Sequence, residues 1–280
     1  MQAATTKGHR MRFRLTMILT LWAGLAAAQD TDLRPLKTGE DSRGWQAVGR
    51  LDIDRNGFCS AALISETTIL TAAHCVYTEE GRRIPASSFT FLAGLRDDRA
   101  MATRAVVRVT PHPGYVHHGD RAQDETVAVD LAILELERPV RLPSLAPYGI
   151  GATPRRDAEV AVVSYARDRA NAASLQKTCH VLDRARSMLM LSCAADFGAS
   201  GAPVFGTDGG VPRIVAVMSA KGSAAGGPIS LAVATEGTLD AVLVAHRIGS
   251  NEPPPLAATF QPRFTSSGTR NDTGAKFVRP

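Results

Sequence analysis

"DFGASGAPVF", residues 196–205, sets one serine among small residues, directly ahead of a strand-like Ala-Pro-Val-Phe. Small neighbours let backbone come close to something, either a bend in the chain or a bound group. The plain reading is a tight turn into a buried strand. The rest of the chain decides whether Ser200 does more.

On both sides of this stretch the pattern is β-like. Residues 159–165, 175–181, 188–193, 202–205, 213–218 and 229–234 alternate or are briefly all apolar. An earlier series of the same kind covers residues 45–53, 58–64, 68–70, 89–92, 105–109 and 131–136. A connector over residues 139–154 separates the two series. Six short strands, a connector and six more imply an all-β fold of two six-stranded antiparallel β-barrels side by side. The barrels fall at about 45–138 and 155–236, after an N-terminal segment at 29–44. One helix is expected at residues 238–247, where Leu239, Val242, Leu243 and His246 recur at helical spacing. It closes the domain near residue 248, and the Pro-, Ser- and Thr-rich residues 249–280 read as a disordered tail.

The 280 residues are 44% hydrophobic and 21% charged, an ordinary globular composition. The formal net charge of +5 does not mark a nucleic-acid binder. Residues 1–28 hold Lys7, Arg10, Arg12 and Arg14 and no acid, so removing them leaves only +1. No basic face with interleaved aromatics remains. Those same residues form an export leader: a basic start, an apolar run over 15–25 and then Ala26-Ala27-Ala28 before Gln29. The run is short for a membrane span, so no stable anchor is expected once the leader is removed, and the protein should be periplasmic or secreted. In an oxidising compartment the four cysteines read as disulfides, and their spacing gives local pairs, Cys59 with Cys75 and Cys179 with Cys193. No Cys-x-x-Cys is present to suggest a zinc ribbon or a redox site.

The chemistry-bearing residues lie in three places. "TILTAAHCVY" puts His74 straight after a strand, where a Cys59–Cys75 bridge would fix it at a barrel edge. "VDLAILEL" opens a buried strand with Asp130, and a carboxylate there is costly unless paired. Ser200 is the third. A serine hydroxyl is a weak nucleophile that needs a histidine to take its proton and a carboxylate to hold the imidazole. It also needs backbone donors facing the developing oxyanion, and a bulky residue at Gly198 would block that approach. The expected donors are the amides of Gly198 and Ser200.

"LTAAHC", "HPGY", "VDLAILEL" and "GASGAPVF" stand in the order His, Asp, Ser, and over residues 45–247 the chain resembles the trypsin/chymotrypsin-like serine proteases. Its flavour is that of the small bacterial exported branch that includes glutamyl endopeptidases. The resemblance implies a serine endopeptidase with Ser200 as nucleophile, His74 as general base and acid, and Asp130 as orienting carboxylate. It implies a protein or peptide substrate, a monomer, and no cofactor or metal. A Ser-His esterase of the α/β-hydrolase type is disfavoured, because its Gly-x-Ser-x-Gly elbow needs glycine at Ala202 and a helix where Pro203 stands. The alternative is a protease-like binding or regulatory protein that kept the fold and lost turnover.

Two departures from the digestive members agree with one another. Ala199 stands where zymogen-activated members carry an aspartate, and no Ile-Val-Gly-Gly-like start precedes "GWQAVGRL". Maturation is then expected to need only leader removal, with trimming of the segment before Trp45 leaving activity per folded molecule comparable between chains beginning at Gln29 and at Asp41. The resemblance places the substrate side chain between Ala194 at the pocket base and a wall of Met218, Ser219, Ala220 and Lys221. With no carboxylate at the base, small or medium uncharged side chains are expected, with acidic ones admitted through Lys221. His112, His117, His118 and Asp120 form a weaker metal candidate, and Asp120 and Asp124 are weaker rivals of Asp130. Met188 and Met190 read as hairpin core, and Asp196 as a turn cap or a local stiffener.

Overall fold

The structure is a computed structural model. It describes residues 32–54, 57–119, 124–206, 209–224 and 227–248. The leader and the tail lie outside the described residues. Strand β1 (Arg34–Pro35) is followed by β2 (Val48–Ile53), β3 (Gly57–Ser65), β4 (Thr68–Thr71), β5 (Phe89–Ala93) and β6 (Ala102–Pro111). A one-turn helix α1 (Asp124–Val127) precedes β7 (Ala132–Leu136). Strands β2 to β7 close as an antiparallel barrel in the order β2-β3-β4-β7-β6-β5. Alternation drives the closure: in β5, Phe89, Phe91 and Ala93 are buried while Thr90 and Leu92 are not.

The second half runs β8 (Glu159–Ala166), β9 (Arg169–Ala185), β10 (Met188–Leu191), β11 (Pro203–Gly206), β12 (Arg213–Ala224) and β13 (Gly227–Ala234). Its order is β9-β10-β13-β12-β11-β8, and pairing of β8 with β9 closes the second barrel. Two six-stranded antiparallel barrels are therefore present, as expected. The helix α2 (Thr238–Ile248) buries Leu239, Val242 and Ala245. Arg108 of β6 caps its end by donating to the His246 carbonyl at 2.8 Å.

Strand lengths differ from the sequence reading where apolar periodicity fades. Strand β9 extends well beyond residues 175–181 at both ends because β8 and β10 pair with it there, although its outermost residues are only partly buried and carry no apolar alternation. Strand β12 likewise continues past Met218 through Lys221, pairing with β13 as far as Ala224 and Gly227.

Residues 34–36 and 44–45 pack onto the barrels. Strand β1 pairs with Leu175 and Ser174 of β9, the amide of Leu36 donates to Ala173, and Leu36 is 2% exposed. Tyr148 donates its hydroxyl to the Gly44 carbonyl, and Trp45 packs edge-on against Phe205. Trimming up to Trp45 is thus expected to cost stability, whatever it does to activity per folded molecule. A chain beginning at Asp41 forfeits a buried leucine worth about 2 kcal/mol. Calorimetry should place its melting midpoint roughly 4–8 °C below that of a chain beginning at Gln29. Equal midpoints would mean that Leu36 contributes nothing.

One apolar core runs through the barrel junction, with Tyr165 and Phe205 of the second barrel joining Val48, Leu63 and Phe91 of the first. Polar contacts also cross there. Ser60 accepts the amide hydrogen of Tyr165 at 2.9 Å, and the Tyr165 hydroxyl donates to the Leu95 carbonyl at 2.9 Å.

Candidate active site

The three chemistry-bearing residues converge at this junction. His74 sits in a 3-10 turn, Ala73–Val76, at the end of β4, and Cys75 beside it is bonded to Cys59 of β3. Asp130 lies between α1 and β7, its amide held by the Val127 carbonyl. Ser200 lies in the loop between β10 and β11, and the Cys179–Cys193 bridge anchors the start of that loop. Both expected disulfides are present.

His74 stands between its two partners. Its Nδ1 lies 2.7 Å from Asp130 Oδ2 and its Nε2 lies 2.7 Å from Ser200 Oγ. The other carboxylate oxygen of Asp130 accepts the His74 amide hydrogen at 2.7 Å. Asp130 is fully buried, and Ser219 donates a further short hydrogen bond to Oδ2. Three donors thereby replace the water that a buried carboxylate loses. With Asp130 accepting at Nδ1–H, Nε2 is left as the acceptor facing Ser200, the tautomer that can take a hydroxyl proton.

The loop carrying Ser200 is fastened to the first barrel. The Ser200 carbonyl accepts from the Ser60 amide at 2.8 Å, and Ser60 Oγ donates to the Gly198 carbonyl at 2.9 Å. Gly198 has φ +97, and a Cβ there would strike the Phe58 ring and come 3.0 Å from Ala166 Cα. The Phe197 carbonyl accepts from the Arg167 amide at 2.7 Å. Across a trans peptide the carbonyl and the next N–H point opposite ways. The Gly198 N–H is therefore turned away from the Arg167 amide. A groove of about 670 Å³ opens beside this loop, lined by His74, Gly198 and Ser200 and running past Phe58 to Tyr77 and Arg82.

The expected pocket residues take more varied places. Ala194 donates its amide hydrogen to Gln176 Oε1 at 2.8 Å. Met218 is fully buried in the second barrel's core with Val204 and Leu189, and Ala220 packs with Val127 and Leu231. Ser219 directs its hydroxyl to Asp130 rather than serving only as a wall. Lys221 Nζ lies 2.8 Å from Asp196 Oδ1 and 3.9 Å from the centre of the Phe197 ring. Asp196 also accepts the Phe197 amide hydrogen at 2.8 Å, a local hydrogen bond within the loop. The hydrogen bond from Lys221 holds its carboxyl below the ordinary carboxylate value. Met188 is buried as expected.

The histidine-rich stretch has structural work to do. Burial pushes His112 down to about 4, and its Nδ1 accepts the Gly114 amide hydrogen at 3.0 Å. His117 stacks on Tyr77 at 5.6 Å. Asp120 lies outside the described residues. Among the described residues, the group with metal-like proximity is Cys59, His74 and Cys75, and both its sulfurs are committed to the disulfide. Ser60, with Thr71 donating to its carbonyl at 2.8 Å, was not singled out in the sequence. Its one signal was a polar residue inside the apolar "CSAAL".

Fold and site together define a two-barrel protein with a Ser-His-Asp constellation between the barrels. The chain belongs to the trypsin-like peptidase family, whose domain model matches residues 57–217. Over 88 residues it is 38% identical to "Serine protease SP24D" of Anopheles gambiae, spanning 31% of this chain and 28% of that protein. Over 94 residues it is 29% identical to "Clotting factor G beta subunit" of Tachypleus tridentatus, spanning 33% and 28%. The alignments thus span under a third of each relative. A solved structure titled "Structure of Glu endopeptidase in complex with MPD" superposes with TM-score 0.62 at 17% identity, covering 78% of this chain and 99% of that one. At that identity the likeness concerns the fold.

Proposed function

We propose that this chain is an exported serine endopeptidase that works through an acyl-enzyme. The observation that carries the reading is His74 held at 2.7 Å from both Asp130 and Ser200. Ser200 Oγ attacks the scissile carbonyl carbon while His74 Nε2 takes the hydroxyl proton. The carbonyl oxygen gains charge facing the amide of Gly198, with the Ser200 amide as second donor. His74 then returns the proton to the leaving amine, the C–N bond breaks, and the acyl group stays on Ser200 as an ester. Water, deprotonated by the same imidazole, hydrolyses that ester and frees the acid. Asp130 keeps the imidazole oriented throughout and stabilises its cationic form.

Export is supported by the leader read in the sequence and by the two disulfides. No helix among the described residues is long and apolar enough to cross a membrane. The cleaved residue is proposed to be small or medium-sized and uncharged. Acidic side chains gain little from Lys221, since Asp196 already pairs with its ammonium.

A fluorophosphonate probe tests the chemistry: it should label Ser200 in the native chain and leave Ser200→Ala unmodified. No labelling of the folded native chain would overturn the enzyme reading. A mixed peptide library tests the pocket, and dominant cleavage after Arg or Lys would show that reading to be wrong.

A further inference from the structure

The peptide between Phe197 and Gly198 decides whether an N–H or a carbonyl faces the cleft. Gly198 has no Cβ, so it offers little intrinsic resistance to rotation of that peptide. Resistance comes from the Arg167 amide, which donates to the Phe197 carbonyl, and from whatever keeps Phe197 and Asp196 in place for that bond. Ala199 carries no charge with which to anchor the loop. Phe197 is 43% exposed, too little covered for burial to fix it. Its neighbours hold it instead. Lys221 Nζ sits 3.9 Å from the ring centre and the Arg167 guanidinium 4.9 Å from it.

Lys221 reaches across from β12 and also pairs with Asp196 at 2.8 Å, while Asp196 accepts the Phe197 amide hydrogen. One ammonium thus grips two successive residues that lead directly into Gly198. We propose that Lys221 is a positioning residue: its grip on Asp196 and Phe197 keeps the Gly198 amide facing the cleft. The proposal rests on the reading of Ser200, His74 and Asp130 as a triad. A solvent-exposed ion pair alone is worth little. Here the lysine side chain is only 23% exposed and serves a carboxylate and a ring together.

The charged groups around Asp196 are Lys221 from β12, Arg169 from β9 and, across the Phe197 ring, Arg167. The Lys221 hydrogen bond comes first in holding the Asp196 carboxyl low, with Arg169 adding a smaller charge effect. A lowered carboxyl stays ionised above its ordinary value and loses the pairing only as the pH falls through the lowered one. The grip therefore persists through the neutral range.

The experiment compares Lys221→Met, Lys221→Arg, Asp196→Asn and the Met/Asn double variant, each with its melting curve. It measures kcat and KM on one peptide cut after a small residue, and the rate of reaction with diisopropyl fluorophosphate. Losing one oxyanion donor outright costs roughly 100- to 1,000-fold, so loosening it should cost roughly tenfold in kcat. KM should move less than about twofold, because the uniform binding of the peptide is untouched. The fluorophosphate rate should fall with kcat, and the melting midpoint should barely shift. Lys221→Arg should restore most of the loss, and the double variant should be no worse than either single change. An unchanged kcat in both single variants, or a loss confined to KM, overturns the proposal. A native chain inert to the fluorophosphate overturns the triad reading first, and this proposal with it.

Discussion

Ser200→Ala is expected to lower kcat by roughly 10⁶-fold while leaving the fold intact, as for a triad whose members act as a unit. Ser200 is 1% exposed and its hydroxyl lies against His74 Nε2. Removing that hydroxyl takes away the nucleophile and leaves the backbone tether to Ser60 in place. The stability change should stay within about 1 kcal/mol, the scale of one hydrogen bond. His74→Ala should cost a similar factor in kcat, and the double variant no more than either. Asp130→Asn should cost less, roughly 10⁴-fold, since it sets the tautomer and does not touch substrate. The measurement is kcat/KM on a peptide for each purified variant, with circular dichroism as the folding check. Full activity of Ser200→Ala or His74→Ala would sink the assignment.

His74 and Asp130 were legible in the sequence for different reasons. "TAAHC" is a specific string, and the cysteine beside His74 carries its own explanation of why the histidine is held. Asp130 stood out by contrast, a carboxylate directly ahead of "LAILEL". The barrels were legible because a half-buried strand must alternate or turn wholly apolar, as "FTFLA" does. Strand β1 has two residues and no room for a period, and Leu36 has only Leu33 for apolar company besides Pro35 in a polar segment. The ends of β9 are strand because a neighbour pairs with them, and their own side chains give no sign of it.

The residues that tune the site were hidden by distance along the chain. Ser219 lies 89 positions from the Asp130 it supports, and Ser60 lies 138 from the Gly198 carbonyl it holds. Lys221 was legible as a charge near the pocket, but its partner decides its meaning. An unpaired ammonium would attract a substrate carboxylate, whereas one already on Asp196 fastens a loop instead. A serine in a strand or a lysine in a hairpin has no periodicity that announces such a contact. The closeness of the two barrels at Ser200 was legible only as a run of small residues.

That closeness makes Gly201→Ala the change with the largest expected effect on stability. Gly201 has φ +76, and a Cβ there would run into Thr71 Oγ1 and the Ser60 carbonyl oxygen, with the Ala72 amide nitrogen 3.0 Å away. Neither Ser60 nor Thr71 has room to yield. Ser60 is tied to the Ser200 carbonyl, the Gly198 carbonyl and the Tyr165 amide, and Thr71 donates to Ser60 itself. Left-handed backbone costs an alanine roughly 1–2 kcal/mol, and overpacking adds about 1–3 kcal/mol. A loss of about 2–5 kcal/mol would be a large fraction of the total for a domain of this kind. Gly237→Ala supplies the control, since its φ is +77 and a Cβ there meets nothing within 4 Å. That change should cost only the backbone part, so the difference between the two urea midpoints reports the barrel-to-barrel contact. Gly201→Ala should also lose activity in the fraction that folds, because relief of the clash moves Ser200 away from the strand end that carries His74. If Gly201→Ala proves as mild as Gly237→Ala, the barrels do not meet this tightly beneath Ser200.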